Sequence, residues 1–314
     1  MILEGLGMKK LEKSNTPIQK VASEFIKKWG KDKNTEGFSK KLGLFVSQLE
    51  DEDKELGSIL IELVKYYNYY SRESINKILE EFYCKFITQS LGLNKDYTIY
   101  SRIEDDSKID SSNNLLEEFK IINDISNSYS HDIEKLSLSN FEYIENVIFI
   151  DDIIGSGKTV ETFFEANKEK LNKVKTFIFC VVILENGLYY LNSYFDKNGF
   201  DCQIIYSEVQ RPAFTNEYIF LDDNIINENK LRDFEKKLFG NKSKYVLGFE
   251  NSQALVTFFR NTPNNTLGSF WYTGKKWNGL FPREKDKPEF MKRRRIKKKS
   301  PIAYNLRMME KEDG

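Results

Sequence analysis

The thirteen residues from Val147 to Thr159 constrain this chain more than any other stretch. Val147-Ile148-Phe149-Ile150 is an unbroken apolar run of strand length, the pattern of a strand covered on both faces, as in a parallel sheet. It runs into two adjacent carboxylates, Asp151 and Asp152. Ile153 and Ile154 follow, then the small-residue turn Gly155-Ser156-Gly157, and Lys158-Thr159 opens an amphipathic helical pattern. Ligands of parallel sheets bind beyond the carboxyl ends of strands. A helix N-terminus presents unpaired N–H groups and the positive end of the helix dipole, both suited to a phosphate. The glycines let backbone amides approach an anion closely. Ser156 and Thr159 add hydroxyl donors, and Asp151 and Asp152 can accept hydrogen bonds from sugar hydroxyls.

The flanking sequence carries the same rhythm. A helix is expected from Lys158 to about Leu171, with Val160, Phe163, Phe164 and Leu171 apolar. Phe177 to Leu184 is a second unbroken apolar strand, Gly187 to Phe195 a helix, and Gln203 to Val209 a third strand. Upstream, Tyr97 to Ile103 reads as a short strand, followed by a polar loop from Glu104 to Ser112 and a helix beginning near Asn113. This alternation predicts an α/β fold with a doubly wound, mainly parallel sheet. Residues 1–91 read as a helical region: Thr16-Pro17 is an N-cap and N1 pair, and Leu56, Ile59, Leu60, Leu63, Val64 and Tyr67 recur at helical spacing. Ser71 caps the next helix, whose stripe Ile75, Ile78, Leu79, Phe82, Tyr83 and Phe86 reads as core. Asp124 to Asn140, rich in Ser and Asn, suggests a mobile connection. Asn229 to Phe239 and Ser252 to Arg260 are expected to be helical, and Asn261 to Trp277 is turn-rich and aromatic. The chain thus divides into a helical region at 1–91, an α/β domain with its extension at 92–285, and a charged, partly disordered tail at 286–314.

Composition removes several chemistries. The chain has 314 residues with 48 basic against 48 acidic side chains, so as a whole it is no polyanion binder. Its one histidine, His131, excludes a multi-histidine zinc site, and a lone His among Ser, Tyr and Asp reads as a surface loop residue. The three cysteines have no CxxC spacing, and Cys180 inside an apolar run reads as a reduced, packed thiol. The N-terminus mixes Lys and Glu with a few apolar residues and carries no signal-peptide pattern, and no apolar stretch is long enough to span a bilayer, so a cytoplasmic protein is expected.

Gly157-Lys158-Thr159 also matches the end of a Walker A loop, G-x-x-x-x-G-K-[ST]. The position that needs the first glycine is Asp152, where a carboxylate would repel a polyphosphate and obstruct backbone approach. A strand ending in Asp-Asp also resembles a Walker B element, but no separate Walker A precedes it.

The order of hydrophobic strand, Asp-Asp, two apolar residues, small residues, Gly, any residue, Thr resembles the ribose-phosphate signature of type I phosphoribosyltransferases. Ser156 stands where that family commonly has threonine, which keeps the hydroxyl. The helical N-terminal region and the segment Asn261-Thr262-Pro263-Asn264-Asn265-Thr266-Leu267, with Phe270-Trp271 after it, resemble a narrower group, the phosphoribosyltransferase-like effector proteins of bacterial conflict and anti-phage defence systems. That likeness covers most of residues 20 to 283.

The resemblance implies a phosphoribosyl-pyrophosphate-binding protein that works with Mg²⁺. Asp151 and Asp152 would hold the ribose 2′- and 3′-hydroxyls, engage Mg²⁺ directly or through water, and stabilise positive charge on the ribose ring as pyrophosphate departs. Ile154, Gly155, Ser156, Gly157, Lys158 and Thr159 would line the 5-phosphate site. Arg102 with Ser111 and Ser112 would form the pyrophosphate loop, although Asp110-Ser111-Ser112 also reads as an ordinary helix cap. A catalytic loop would span Ser126 to Ser139, and an acceptor pocket would lie near Glu208 to Phe214. The acceptor could be a nucleotide, a nucleic acid or a protein. Two alternatives stand beside this reading: a non-catalytic nucleotide-sensing or scaffold protein of the same fold, and a P-loop-like NTP-binding module. Finally, Lys292 to Lys299 carries seven positive charges in eight residues, a segment suited to nucleic acid or to a defence-system protein partner, or else a solvated tail.

Overall fold

A computed structural model describes residues 16–49, 54–90, 93–103, 111–241, 243–274 and 276–283. They fall almost wholly within one unit, Met1–Pro282; the tail at 286–314, with its basic run, lies outside the described residues. Among the described residues no helix is long and apolar enough to cross a membrane.

The N-terminal region contains α1 (Pro17–Trp29), α2 (Phe38–Val46) and α3 (Lys54–Lys65). Thr16 starts α1 with a capping box: its Oγ1 accepts the Gln19 N–H at 3.3 Å, and the Gln19 Oε1 accepts the Thr16 N–H at 3.0 Å. The predicted stripe from Leu56 to Val64 is fully buried, and Tyr67 with it. The region is not purely helical. Asn68–Tyr70 forms β1, and β1 pairs in parallel with β6 (Val256–Phe258), in the segment expected to be helical. Leu255 to Phe259 is a run of apolar, β-branched and aromatic residues, and its tertiary pairing with β1 overrides the weak local signal. Ser71 caps α4 (Arg72–Glu81) as expected, accepting the Ser74 N–H at 3.2 Å.

The main sheet is four-stranded and wholly parallel: β2 (Thr98–Ser101), β3 (Asn146–Ile154), β4 (Lys175–Leu184) and β5 (Cys202–Gln210), in that spatial order. Alternation along β3 sends Ile148 and Ile150 to one face, where α5 (Ser111–Ile122) packs through Leu115, Leu116 and Phe119. Val147 and Phe149 meet the opposite face, covered by Val160, Phe163 and Phe164 of α6 (Lys158–Ala166) and Leu191 and Phe195 of α8 (Glu185–Asn198). A short α7 (Lys168–Leu171) separates α6 from β4. Each buried aromatic ring contributes roughly 1.5–3 kcal/mol, so both faces of the sheet are strongly held.

The path of the chain makes the sheet doubly wound. From β2 it crosses the first face as α5 and reaches the free edge of β2, where Ser130 bridges Tyr100 in parallel and the His131 N–H bonds the Tyr100 carbonyl at 3.1 Å. It returns beneath the second face, where Ile133 and Phe141 are buried, and enters β3. The stretch expected to be a mobile connection is therefore ordered. Short 3₁₀ turns at Asn127–Tyr129, Ile133–Lys135 and Leu138–Glu142 fill it, and the Ser126 hydroxyl, which accepts the Ser128 N–H at 3.3 Å, serves as a local cap. His131 sits there exposed, its Nε2 at 2.9 Å from the Ser128 carbonyl.

After β5 come α9 (Asn224–Phe239), β6 and a one-turn α10 (Gly268–Trp271). Trp271 and Trp277 are core residues: their indole N–H groups donate to the Thr266 and Ser269 carbonyls at 2.8 and 2.7 Å.

Candidate functional site

The α5 connection leaves β2 over one face and the α6 connection leaves β3 over the other. The crevice between the carboxyl ends of β2 and β3 is thus the topological switch point of the sheet, the place where ligands bind in open parallel sheets. Asp151 and Asp152 lie in the C-terminal half of β3, past the level at which β2 ends opposite Phe149. The pairing Ser101↔Phe149 carries Arg102, just past β2, alongside Ile150 in the neighbouring strand. Two of the sequence-predicted elements are therefore one strand apart.

Asp151 and Asp152 are both partly exposed, and the Asp151 Oδ1 accepts the Asp152 N–H at 2.8 Å, an arrangement that orients the first carboxylate. Cys180 pairs with Asp151 across the ladder. Burial pushes its thiol well up, and the charges of Asp151 and Asp152 add to this. It is the inert core thiol expected. The alternation of β3 slips at the carboxylates: Ile153 packs with the first face and Ile154 with the second.

The turn after β3 reaches the surface. Ser156, Lys158 and Thr159 are exposed, while Ile154 and Gly157 are buried beneath them. Gly157 has φ 82°, a left-handed conformation that favours glycine, and a Cβ there would also come within 2.7 Å of Leu191 Cγ. The first backbone bond of α6 runs from the Glu161 N–H to the Gly157 carbonyl at 3.0 Å. The amides of Ser156, Gly157 and Thr159 meet no acceptor among the described residues, and the Lys158 amide reaches only the Ser156 Oγ, at 3.5 Å. Four donors beside a helix N-terminus suit a phosphate.

Lys158 takes a different part from the one its sequence position suggests. Its ammonium contacts the Glu161 carboxylate at 2.8 Å, hydrogen-bonds the Tyr190 hydroxyl and lies 4.3 Å from the Tyr190 ring centroid. The hydrogen bond to Glu161 raises its pKa to about 12, with Tyr190 adding to the effect. Its charge is thus engaged along α6 and α8, which leaves the backbone amides as the free donors of the turn among the described residues.

Two neighbours missed by sequence reasoning fix the turn in place. A Cβ on Gly187, in the first turn of α8, would overlap the Gly155 carbonyl oxygen, and a Cβ on Gly155 would overlap the side-chain amide of Asn265. Gly187 had a readable signal, a glycine three residues beyond the end of an apolar strand. Asn265 had none that tied it to this turn. Gly187→Ala is expected to push the Gly155 backbone away, costing roughly 1–3 kcal/mol of stability and weakening ribose 5-phosphate binding; a melting curve and a titration calorimeter read the two effects separately.

Arg102 forms an ion pair with Asp132 at 3.6 Å, which ties the end of β2 to the segment predicted as a catalytic loop. A hydrogen bond from Lys135 holds the Asp132 carboxyl below its usual range, helped by the charges of Arg102 and Lys135. Ser111 and Ser112 open α5, but their side chains and residues 104–110, including Asp110, lie outside the described residues. In the expected acceptor region, Glu208 accepts bonds from Asn68 and from the Tyr70 hydroxyl, the latter at 2.6 Å, and Gln210 bonds the Leu255 backbone twice, at 3.0 and 2.9 Å. Ala213 and Phe214 are buried. These residues stitch β5 to β1 and β6, and the polar group they leave outward is Arg211, half exposed and 3.5 Å from Glu185.

No group of three or more His, Cys, Asp or Glu side chains poised for a metal occurs among the described residues. Asp151 and Asp152 could still share a hard cation, because Mg²⁺ in phosphate sites takes one or two carboxylates and completes its shell with water and ligand phosphates.

A family model named PRTase-CE matches residues 43–283 of the chain. Among solved structures, the Helicobacter pylori xanthine-guanine-hypoxanthine phosphoribosyltransferase is similar at 13% identity, covering 46% of this chain and 89% of its own, with a TM-score of 0.31. The AQ2163 protein of Aquifex aeolicus is similar at 13% identity over 64% of this chain and 93% of its own, with a TM-score of 0.30. No curated protein matches.

Proposed function

Starting from the fact that the chain belongs to the PRTase-CE family, we propose that this phosphoribosyltransferase-like protein binds phosphoribosyl pyrophosphate with Mg²⁺ at the crevice between β2 and β3. The observation that supports this most directly is the exposed turn from Gly155 to Thr159, with unpaired amides among the described residues, just after an acidic pair in the last four residues of β3. The turn amides take the 5-phosphate, and Asp151 and Asp152 take the ribose hydroxyls. Asp151 and Asp152 would be the residues to hold Mg²⁺, which would supply charge neutralisation for the departing pyrophosphate. Arg102 would take the pyrophosphate, exchanging its ion pair with Asp132 for the stronger anion.

The NTP-binding alternative is weaker. The Lys158 ammonium, which a Walker A loop needs on its phosphates, is engaged by Glu161 and Tyr190. The likeness of the N-terminal region and of Asn261 to Leu267 to conflict-system proteins supports a role as the effector of a bacterial anti-phage system in the cytoplasm. A nucleotide, nucleic acid or protein would be the acceptor, and the basic run 292–299 a contact for such partners.

Calorimetry of the full chain with phosphoribosyl pyrophosphate and Mg²⁺ tests the binding reading, and a saturable heat is expected. Release of pyrophosphate on adding an acceptor would mark an enzyme; binding without release, under a screen of bases, nucleotides, nucleic acids and water, would mark a sensor. No heat with phosphoribosyl pyrophosphate, against a clear heat with ATP, would overturn the proposal in favour of the NTP-binding module.

A further inference from the structure

The segment from Asn261 to Leu267 is held by its own polar groups. The Asn261 Oδ1 accepts the Thr262 N–H at 2.9 Å, and the Thr262 hydroxyl donates to the Phe281 carbonyl at 2.8 Å. The Thr266 hydroxyl donates to the Val256 carbonyl at 2.6 Å, and the Asn264 carbonyl accepts the Phe249 N–H at 2.8 Å. The Asn265 carbonyl accepts from the Ala254 N–H at 3.1 Å and from the Ser252 hydroxyl at 2.8 Å. These bonds lock the backbone of Asn265, and so the root of its side chain.

The Asn265 side-chain amide is spent on none of this. It is half-buried, makes no hydrogen bond among the described residues, and fills the space beside Gly155 where a Cβ would lie. The amide is not sealed off from solvent, so it is a donor still available at the edge of the turn, with its Nδ2 against the Gly155 backbone. The unpaired amides of Ser156, Gly157 and Thr159 belong to the same turn. A phosphate resting on them would leave oxygens for a donor arriving from a separate segment.

We propose that Asn265 is a ligand-binding residue whose side-chain amide donates to the 5-phosphate held by the Gly155–Thr159 turn. The inference rests on the function proposed above and extends it to a residue more than a hundred positions away in sequence. It also gives the Asn261–Leu267 segment a purpose, namely to carry one donor to the phosphate and hold it there.

The test compares the native full chain with Asn265→Leu, which keeps the approximate shape and removes the donor, and with Asn265→Ala, which removes the bulk as well. Each is titrated with ribose 5-phosphate and with phosphoribosyl pyrophosphate plus Mg²⁺, and each is melted as a check of folding. Loss of one hydrogen bond to a charged group is worth about 10- to 100-fold in affinity. That loss is expected for both ligands in both variants, with native-like melting. Native affinity in whichever variant melts like the native chain would overturn the inference while leaving the proposed function standing. So would a loss confined to phosphoribosyl pyrophosphate, since the donor would then serve the pyrophosphate. A native chain that binds neither ligand would overturn the parent reading, and the role of Asn265 with it.

Discussion

Asp151→Asn with Asp152→Asn is expected to weaken binding of phosphoribosyl pyrophosphate and Mg²⁺ by roughly 30- to 1,000-fold while the fold stays intact. A hydrogen bond to a charged acceptor is worth about 1.5–3 kcal/mol against about 0.5–1.5 for a neutral one. Neutralising two carboxylates that each hold a ribose hydroxyl should therefore remove about 2–4 kcal/mol. The sign of the change is the sharper test. The ligand is a polyanion, and two carboxylates that merely stood near it would repel it, so neutralising them would raise affinity. A loss with native-like melting means that the pair contacts hydroxyls or metal. The fold should tolerate the change because both side chains are partly exposed, and an asparagine Oδ1 can still accept the backbone N–H that Asp151 now accepts at 2.8 Å. Calorimetry and a melting curve decide together. Unchanged or raised affinity would sink the site assignment, and a lowered melting temperature without loss of affinity would make the carboxylates structural.

The parts of this molecule that could be read from sequence share one property: their signal is local. Val147 to Ile150 announces a strand covered on both faces, and that strand lies at the centre of a parallel sheet with helices on each side. The glycines of the turn announce a close backbone approach, and Gly157 has the positive φ that requires one. What escaped notice depends on distant pairing. The strands β1 and β6 are three residues each, too short to show a period of two, and each exists because the other does, across almost two hundred residues. The serines and asparagines between Asp124 and Asn140 suggest mobility in sequence, whereas their side chains close 3₁₀ turns against a buried Ile133 and Phe141. The Ser130 bridge among them ties this crossing to the edge of β2. Asn265 gives the same lesson at the site. Nothing beside it in the chain says that its amide lies against Gly155.

Glu235→Ala is expected to destabilise the protein by about 3–5 kcal/mol, the largest single-residue effect predicted for this fold. The helical pattern of Asn229 to Phe239 gives no sign that this glutamate differs from its charged neighbours, yet it is fully buried. Its Oε2 accepts the Leu247 N–H and its Oε1 the Ser269 N–H, both at 2.6 Å, so one carboxylate joins α9 to two separate segments of the chain. Alanine would leave both amides unpaired and open a cavity. Glutamine would keep only one of the two bonds, because its other end is an NH₂ that cannot accept from an N–H. The same group makes stability depend on pH. Burial raises the carboxyl from 4.5 to about 7, against the lowering effect of the two amide bonds. A folded pKa above the unfolded one means that the native state holds the extra proton between those values. The contribution is then complete below about 4.5 and is lost as pH rises through 7, up to about 3 kcal/mol in all. Urea unfolding of the native chain and of Glu235→Ala at pH 5 and pH 8 should therefore show the gap between them narrowing at the higher pH. A gap that widens instead would mean that the two amides hold a stable anion, with its proton already lost at pH 5.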